Sequence, residues 1–382
     1  MTTIVHAAGA AELLAAIPAL TGFTPRNSLV LLPFRGARTA GAIRFDLPPS
    51  DDAGDGPPGL LSEFAATAVG LVRRVPGTDA LAIAVYADPD GVIRAGAPPR
   101  PPRSGLVGAV EREAERRGLR IVEALHVGGT SWADYRDPAF RAHPVHDLPD
   151  TPAVPGFVGP APDQLSGAEL PRAGLVETES VGRALQAIER VLGPAHARRA
   201  TPGPAPVDPR AQEVALLLDD LPSFLEDLLD SPEASSPFLA AALAWILNRP
   251  ALRDVALVQW ARGIDIGDAA LTAQLAFTGA GIEVPAEIGR TMIGQGPRPD
   301  PDRLGVALTL VRRTASLAPC DARGGPLAAA AWLSWAIGRS THAAHYLGLL
   351  AAIDPDLSFA RLLRSVVDGG ILPAWAFRGP TP

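Results

Sequence analysis

Short, continuously apolar segments alternate with helical patterns over the first 150 residues. The runs Ser28–Pro33 and Asp79–Tyr86 are apolar almost throughout, which is typical of strands buried on both faces. Leu119–Val127 predicts another strand, and Thr39–Phe45 is expected to pair with the first run as a hairpin. Apolar residues at helical spacing predict helices over 10–20, 60–74 and 104–117. This alternation predicts an α/β domain over residues 1–150, with a mixed sheet and flanking helices.

Beyond residue 150 the pattern changes, first to proline-rich segments and then to helices. Residues 151–209 are expected to form a connecting arm and linker with one helix at about 175–192. Residues 210–372 predict an all-α domain, and 373–382 a C-terminal tail. Its clearest helices are predicted over 237–248, 250–262, 266–279, 302–315, 325–337, 341–353 and 356–368.

Two parts of the helical domain have a more specific pattern. The stretch 208–233 interleaves acidic residues with leucines, which predicts an acid-faced helix pair broken at Pro222. The residues 331–338, with Ala343 and a closing Asp354-Pro355, resemble one tetratricopeptide-type helix hairpin. The characteristic Tyr of that repeat is replaced by Ser334, and one hairpin is not a solenoid. We therefore expect a tetratricopeptide-like packing motif and no repeat array.

Charge and composition exclude several classes of function. The net charge is −7, which disfavours binding to a phosphate backbone, so we expect no nucleic-acid partner. All 34 basic residues are arginine. The absence of lysine excludes Schiff-base chemistry, a Walker-type phosphate loop and a protein-kinase site. Neither a Gly-x-Ser-x-Gly elbow nor a strand followed by Gly-x-Gly-x-x-Gly is present.

The single cysteine and the short apolar runs indicate the cellular compartment of the protein. Cys320 is the only cysteine, so no intramolecular disulfide can form, which fits a reducing compartment. The longest apolar runs, Phe238–Leu247 and Leu327–Ile337, are shorter than a membrane span, and no export signal is visible at the N-terminus. We therefore predict a cytoplasmic protein with no membrane association.

Polar side chains at the ends of the predicted strands form the best candidate site. They are Arg44 and Asp46 on one strand, Tyr86 and Asp88 at the end of the next, and His126 on a third. Ligands of open α/β sheets bind beyond the carboxyl ends of strands, and Arg44 could hold an anion there. The alternative is that Arg44 and Asp46 form a structural pair.

A second cluster of polar residues has the residue types of a metal site. His143, His146 and Asp147 could bind Zn²⁺ together with His126 or Asp134. Two histidines three positions apart share a face only on a helix. Pro144 disfavours a helix here, so the spacing of His143 and His146 does not indicate a metal site. We therefore expect an exposed polar loop, no metal and no cofactor.

Several of these motifs, taken in order, resemble the actinobacterial DUF4192 family. They are Gly22–Val30, Arg44–Pro48, the Arg253-Asp254 pair and the stretch from Pro326 to Gly370. The resemblance implies a soluble actinobacterial protein. Because this is a domain of unknown function, it assigns no catalytic residue. Members often carry a cysteine cluster after a Trp-x-x-Tyr segment, whereas here 136–144 contains none.

Two hypotheses of function follow. The first is a binding or scaffold protein whose helical domain recognises a protein partner, which is supported by the predicted hairpin and by the lack of a catalytic motif. The alternative is an enzyme acting on a small anionic or acyl substrate in the N-terminal α/β cleft. They differ in whether Arg44, Asp46, Asp88 and His126 converge in one pocket.

Overall fold

The computed structural model describes residues 9–39, 41–48, 59–87, 101–152, 159–193, 207–231 and 236–377. The chain divides into two compact units, Met1–Gly167 and Ala168–Pro382. The first is a mixed sheet with flanking helices and the second consists of helices, so the predicted fold class is confirmed.

The sheet of the first unit is built around two adjacent buried strands, β1 and β4. Its strands are β1 Ser28–Arg35, β2 Arg38–Thr39, β3 Ile43–Asp46, β4 Ala80–Tyr86, β5 Arg120–Val127, β6 Ser131–Asp134 and β7 His143–Pro144. The order is β2-β1-β4-β5-β6-β7, with β3 on the same edge of β1 as β2. Strands β4 and β5 are parallel, and the other pairs are antiparallel.

Both faces of this sheet are covered, which explains why its central strands are apolar at every position. Leu29 and Leu31 of β1 belong to the core under helices α2 (Leu60–Arg73) and α3 (Ser104–Arg116). Val30 and Leu32 point to the other face and pack with Ile17 of helix α1 (Ala10–Thr21). Because successive strand side chains alternate between faces, a strand between two cores loses the usual polar alternation.

The strand predicted to pair with β1 as a hairpin is interrupted in the structure. The expected strand 39–45 consists of β2 and β3, which pair with opposite ends of β1. Between them Gly41 has a φ of 133°, which is outside the range of an ordinary strand residue. The hydroxyl oxygen of Thr39 lies 3.1 Å from the Pro33 carbonyl oxygen and 2.9 Å from the Gly41 carbonyl oxygen, and its single proton bonds either of them, which stabilises the break.

The second unit is formed by helices around one core. They are α4 Leu175–Leu192, α5 Pro209–Leu217, α6 Leu221–Asp230, α7 Pro237–Leu247, α8 Pro250–Arg262, α9 Ile264–Ala280, α10 Ala286–Met292, α11 Pro301–Leu317, α12 Gly324–Ala336, α13 Ser340–Ala351 and α14 Ser358–Asp368. Helix α4, which the sequence placed in the connecting arm, packs on α5 and α7 within this unit. Helix α10 was not predicted. None of the helices in the described ranges is long and apolar enough to cross a membrane.

Pro222 lies in the first turn of the second of two helices, so the predicted helix pair is broken close to this residue. Helix α5 ends in a 3₁₀ turn, Leu218–Asp220, and α6 starts directly afterwards. Proline is tolerated in the first turn because its missing N–H would have no helical partner there. The Asp220 side chain accepts a hydrogen bond from the Ser223 N–H at 3.2 Å and caps the new helix.

Helices α12 and α8 are held by polar contacts that the sequence did not indicate. The indole N–H groups of Trp332 and Trp335 donate to the carbonyls of Met292 and Ile371 at 2.9 and 2.7 Å. Arg253, on α8, donates to Asp254 and stacks on Phe359 of α14, with 4.0 Å between its Cζ atom and the ring centroid. The Arg253-Asp254 pair therefore joins α8 to α14.

Candidate functional site

The register of the sheet brings three of the predicted site residues to one end of neighbouring strands and to one face of the sheet. Ser28 lies opposite Asp46 on one side and opposite Tyr86 on the other. Residues in one row share a face, and so do residues two apart along a strand. Arg44, Asp46 and Tyr86 therefore lie on the face covered by α1.

The guanidinium of Arg44 is already engaged by neighbouring groups of the same unit. Its Nε donates to the Ser28 hydroxyl at 2.7 Å, and its terminal nitrogen forms an ion pair with Asp46. The Ser28 hydroxyl in turn donates to the Arg26 carbonyl at 2.6 Å. The Arg44 side chain is 9% exposed and that of Asp46 is 82% exposed. This geometry is that of a structural pair that ties β3 to the start of β1.

The turn before β1 is held by a segment far along the chain. Gln164 bonds the Arg26 backbone twice, accepting from its N–H at 3.1 Å and donating to its carbonyl at 3.0 Å. The Thr24 N–H donates to the Ala161 carbonyl at 2.9 Å. Asn27, with a φ of 44°, accepts from the Leu47 N–H at 3.1 Å. The residues that carry the family resemblance in this unit therefore form one hydrogen-bonded cluster.

Tyr86 and His126 lie on opposite faces of the sheet. Tyr86 pairs with Val127, and His126 pairs with Val85 one position earlier. Burial raises the pKa of the Tyr86 phenol. Tyr86 and Arg44 therefore cannot form one pocket with His126. Asp88, the remaining predicted site residue, lies outside the described residues.

His126 is a buried imidazole enclosed by aromatic rings. The centroids of Tyr135 and Phe140 lie 6.2 and 5.9 Å from its ring. Burial lowers the pKa of His126, and a hydrogen bond with the Ala87 backbone opposes the change only partly. The side chain is 5% exposed. The imidazole is therefore neutral near pH 7, as expected for a core histidine.

The two histidines of the candidate zinc site, His143 and His146, contact different residues. His143 stacks on Trp132 with 4.6 Å between ring centroids, whereas His146 is exposed and lies 3.5 Å from Asp147. Within the described parts of the chain, no three His, Cys, Asp or Glu side chains are grouped as metal ligands would be.

A different concave site lies among four helices of the second unit. We call it the helical groove. It encloses about 130 Å³, or about 700 Å³ when the space at its open mouth is included. Its lining is mostly apolar and comes from α4, α6, α7 and α11, together with the residues flanking α6 and α7: Val176, Glu177, Ser180, Val181, Leu228, Ser231, Ser236, Pro237, Leu239, Ala240, Leu243, Leu310, Arg313, Thr314 and Leu317.

Two exposed apolar side chains lie at the start of α4, and one of them, Val176, lines the groove. Leu175 and Val176, in the first turn of α4, are 75% and 73% exposed. An apolar pocket with adjoining exposed apolar residues is typical of a surface that binds another molecule. The sequence did not identify this site, because each lining residue looks like an ordinary core position of its own helix. The high apolarity of Leu175-Val176 at a helix start, where polar residues are usual, was the available signal.

Comparison with known proteins gave one match. The family model described as "Domain of unknown function (DUF4192)" matches residues 11–280. Searches of curated proteins and of solved structures found no match. The matched region includes the whole cluster around Arg26 and Arg44 as well as the Arg253-Asp254 pair. Because the model covers well over half of the chain, this protein belongs to the DUF4192 family.

Proposed function

We propose that this chain is a binding protein that recognises a protein partner through the helical groove of its second unit. The observation that carries the proposal is the apolar groove with Val176 exposed in its lining, next to the exposed Leu175 in the sequence. Side chains that remain about three-quarters exposed gain free energy when a partner removes them from water, at about 25 cal/mol per Å². The groove has room for an apolar side chain of such a partner.

The same proposal takes the hairpin of α12 and α13 as tetratricopeptide-like and places the protein in the cytoplasm. Ala331 and Ala343 are fully buried, which lets two antiparallel helices approach closely. A lone Cys320 suits a reducing compartment. The hairpin then acts as the support against which the groove helix α11 packs.

The alternative of an enzyme in the N-terminal cleft has less support. Arg44 is bonded to Ser28 and Asp46, and His126 lies on the opposite face of the sheet. A general base must lie within hydrogen-bonding reach of the group on which it acts. These residues provide no such arrangement.

The test is site-specific photo-crosslinking in the native host. A benzoyl-phenylalanine at position 176 should capture one protein, whereas the same group at Leu362, an exposed leucine of α14, should not. The captured protein is then purified, and its affinity is measured by calorimetry. Ala240→Trp, which fills the groove from a half-buried lining position, should weaken binding at least about tenfold.

The matched control is Ala276→Trp, which adds the same bulk to a half-buried position of α9 outside the groove. It should leave the affinity unchanged. A captured protein that binds the Ala240→Trp variant as tightly as the wild type would show that the groove is not the recognition site.

A further inference from the structure

Two of the described residues that line the groove are charged, and their side chains make different contacts. Glu177 is exposed, and its carboxylate accepts a hydrogen bond from the Gly174 N–H at 3.0 Å. It therefore caps the start of α4, where a carboxylate also interacts favourably with the helix dipole. The Glu177 carboxylate therefore has a structural role in its own helix.

Arg313 is the other charged residue of the groove, and it lies half-buried on α11. Within the described residues its guanidinium forms no hydrogen bond and no ion pair. Its neighbour Arg312, by contrast, donates to the Glu169 carbonyl. A guanidinium that has lost part of its water and has no anion gains more from a carboxylate than an exposed one does.

Two of the hydroxyl groups that line the groove, those of Thr314 and Ser180, do not compete for an anion. Thr314 donates to the Leu310 carbonyl at 3.0 Å and Ser180 to the Val176 carbonyl at 2.7 Å. Both protons are used within their own helices. The acidic side chains of Asp227 and Asp230 belong to α6 but do not line the groove. Of the two charged groups that line the groove in the described residues, Arg313 is therefore the one without a hydrogen-bond partner.

We infer that the partner recognised by the groove presents a carboxylate directly beside an apolar side chain. This inference rests on the function proposed above and specifies its chemistry. The apolar side chain enters between Leu239, Leu243 and Leu310, and an Asp or Glu of the same peptide segment pairs with Arg313. Such a pair is favoured because both the ion pair and the apolar contact are shielded from water.

Selection from a library of random twelve-residue peptides displayed on phage tests this inference on the intact chain. Peptides are enriched on the wild type after removal of those that bind Ala240→Trp. The wild type should enrich Asp or Glu next to Leu, Ile or Phe. Arg313→Glu should shift the preference to Lys or Arg, and Arg313→Gln should remove the charge preference while keeping the apolar residue. Arg364→Glu, a half-buried arginine on α14, should behave as the wild type.

The peptide most enriched on the wild type is then synthesised together with its Glu→Gln or Asp→Asn analogue. The analogue should bind about tenfold more weakly to the wild type, and equally well to Arg313→Gln. Apolar peptides without an acidic preference, or a preference unchanged by Arg313→Glu, would overturn the carboxylate inference while supporting the groove as a binding site. Enrichment of no groove-dependent peptide would overturn both proposals. Thermal melts of each variant confirm that it is folded.

Discussion

At the scale of single residues, the charged groups of the family motif are used to hold the chain together. Arg44 illustrates this, because it joins Asp46, Ser28 and through it the Arg26 carbonyl. Its side chain is nearly buried, whereas the Asp46 side chain is largely exposed. The two ends of the ion pair therefore contribute unequally to stability.

Replacing Arg44 and Asp46 separately should change the free energy of unfolding by different amounts. Arg44→Ala removes a buried donor to Ser28, and it should lower the free energy of unfolding by about 1–3 kcal/mol. Asp46→Asn should cost less than about 1 kcal/mol, because exposed ion pairs contribute little. Urea denaturation measures both. An Arg44→Ala variant as stable as the wild type would return Arg44 to consideration as a ligand anchor.

His126 gives the N-terminal unit a dependence on pH. Burial lowers the pKa of its imidazole in the folded state below the ordinary value of 6.5. As the pH falls, His126 therefore takes up a proton more readily in the unfolded state than in the folded state. Its contribution to the free energy of unfolding is present above pH 6.5 and is lost as the pH falls below that value. Denaturation of the wild type at pH 7 and pH 5 should show this loss.

The control variants for this pH dependence are His126→Phe and His146→Phe. The first keeps a ring between Tyr135 and Phe140 but cannot take up a proton, so the loss between pH 7 and pH 5 should become smaller. The second changes an exposed histidine and should keep the loss of the wild type. An unchanged pH dependence in His126→Phe would place its origin elsewhere.

At the scale of the elements, the start of α12 depends on close contact with the end of α7. Asn248 accepts from the Gly325 N–H at 2.9 Å and donates to the carbonyls of Ala244 and Ala322 at 2.8 and 2.7 Å. A Cβ atom on Gly325 would lie 2.3 Å from the Leu247 carbonyl oxygen. Backbone cannot yield as a side chain does, so only glycine allows this contact.

Two neighbouring glycines of α12 make a matched test. Gly325→Ala should destabilise the protein by about 2 kcal/mol or more, because the two helices must separate. Gly324→Ala should be neutral or slightly stabilising, because its Cβ would meet only the Leu350 Cδ1 atom at 3.6 Å, and alanine favours the helix. Thermal melts followed by circular dichroism measure both. Equal effects would disprove the close contact.

At the scale of the whole molecule, the proline-rich segment 194–206 interrupts a unit of the structure. Helix α4 precedes this segment, yet Val181 and Ile188 of α4 belong to the same core as Leu243 of α7. Cutting the chain here therefore leaves core residues on both fragments. The interaction between them is apolar and buried, so we expect it to persist without the covalent link.

A specific protease site inserted after Ala200 tests this expectation. After cleavage the two fragments should elute together from a size-exclusion column under native conditions, and they should separate in 6 M urea. Fragments that separate without denaturant would show that α4 is not part of the second unit. The sequence alone suggested the opposite result, because a proline-rich segment commonly separates independent domains.

Local sequence determined the elements of this protein, and tertiary contacts determined what its residues do. Apolar runs predicted β1, β4 and β5, and helical spacing predicted most helices, because both periodicities arise within a few neighbouring residues. Whether Tyr86 and His126 share a face depends on strand register, which a single strand does not encode. The helical groove likewise forms between α4, α6, α7 and α11. Its first and last lining residues, Val176 and Leu317, are more than 100 positions apart in the sequence. Its apolar side chains have the same local pattern as core residues, and only the packing of the helices leaves them lining an open groove.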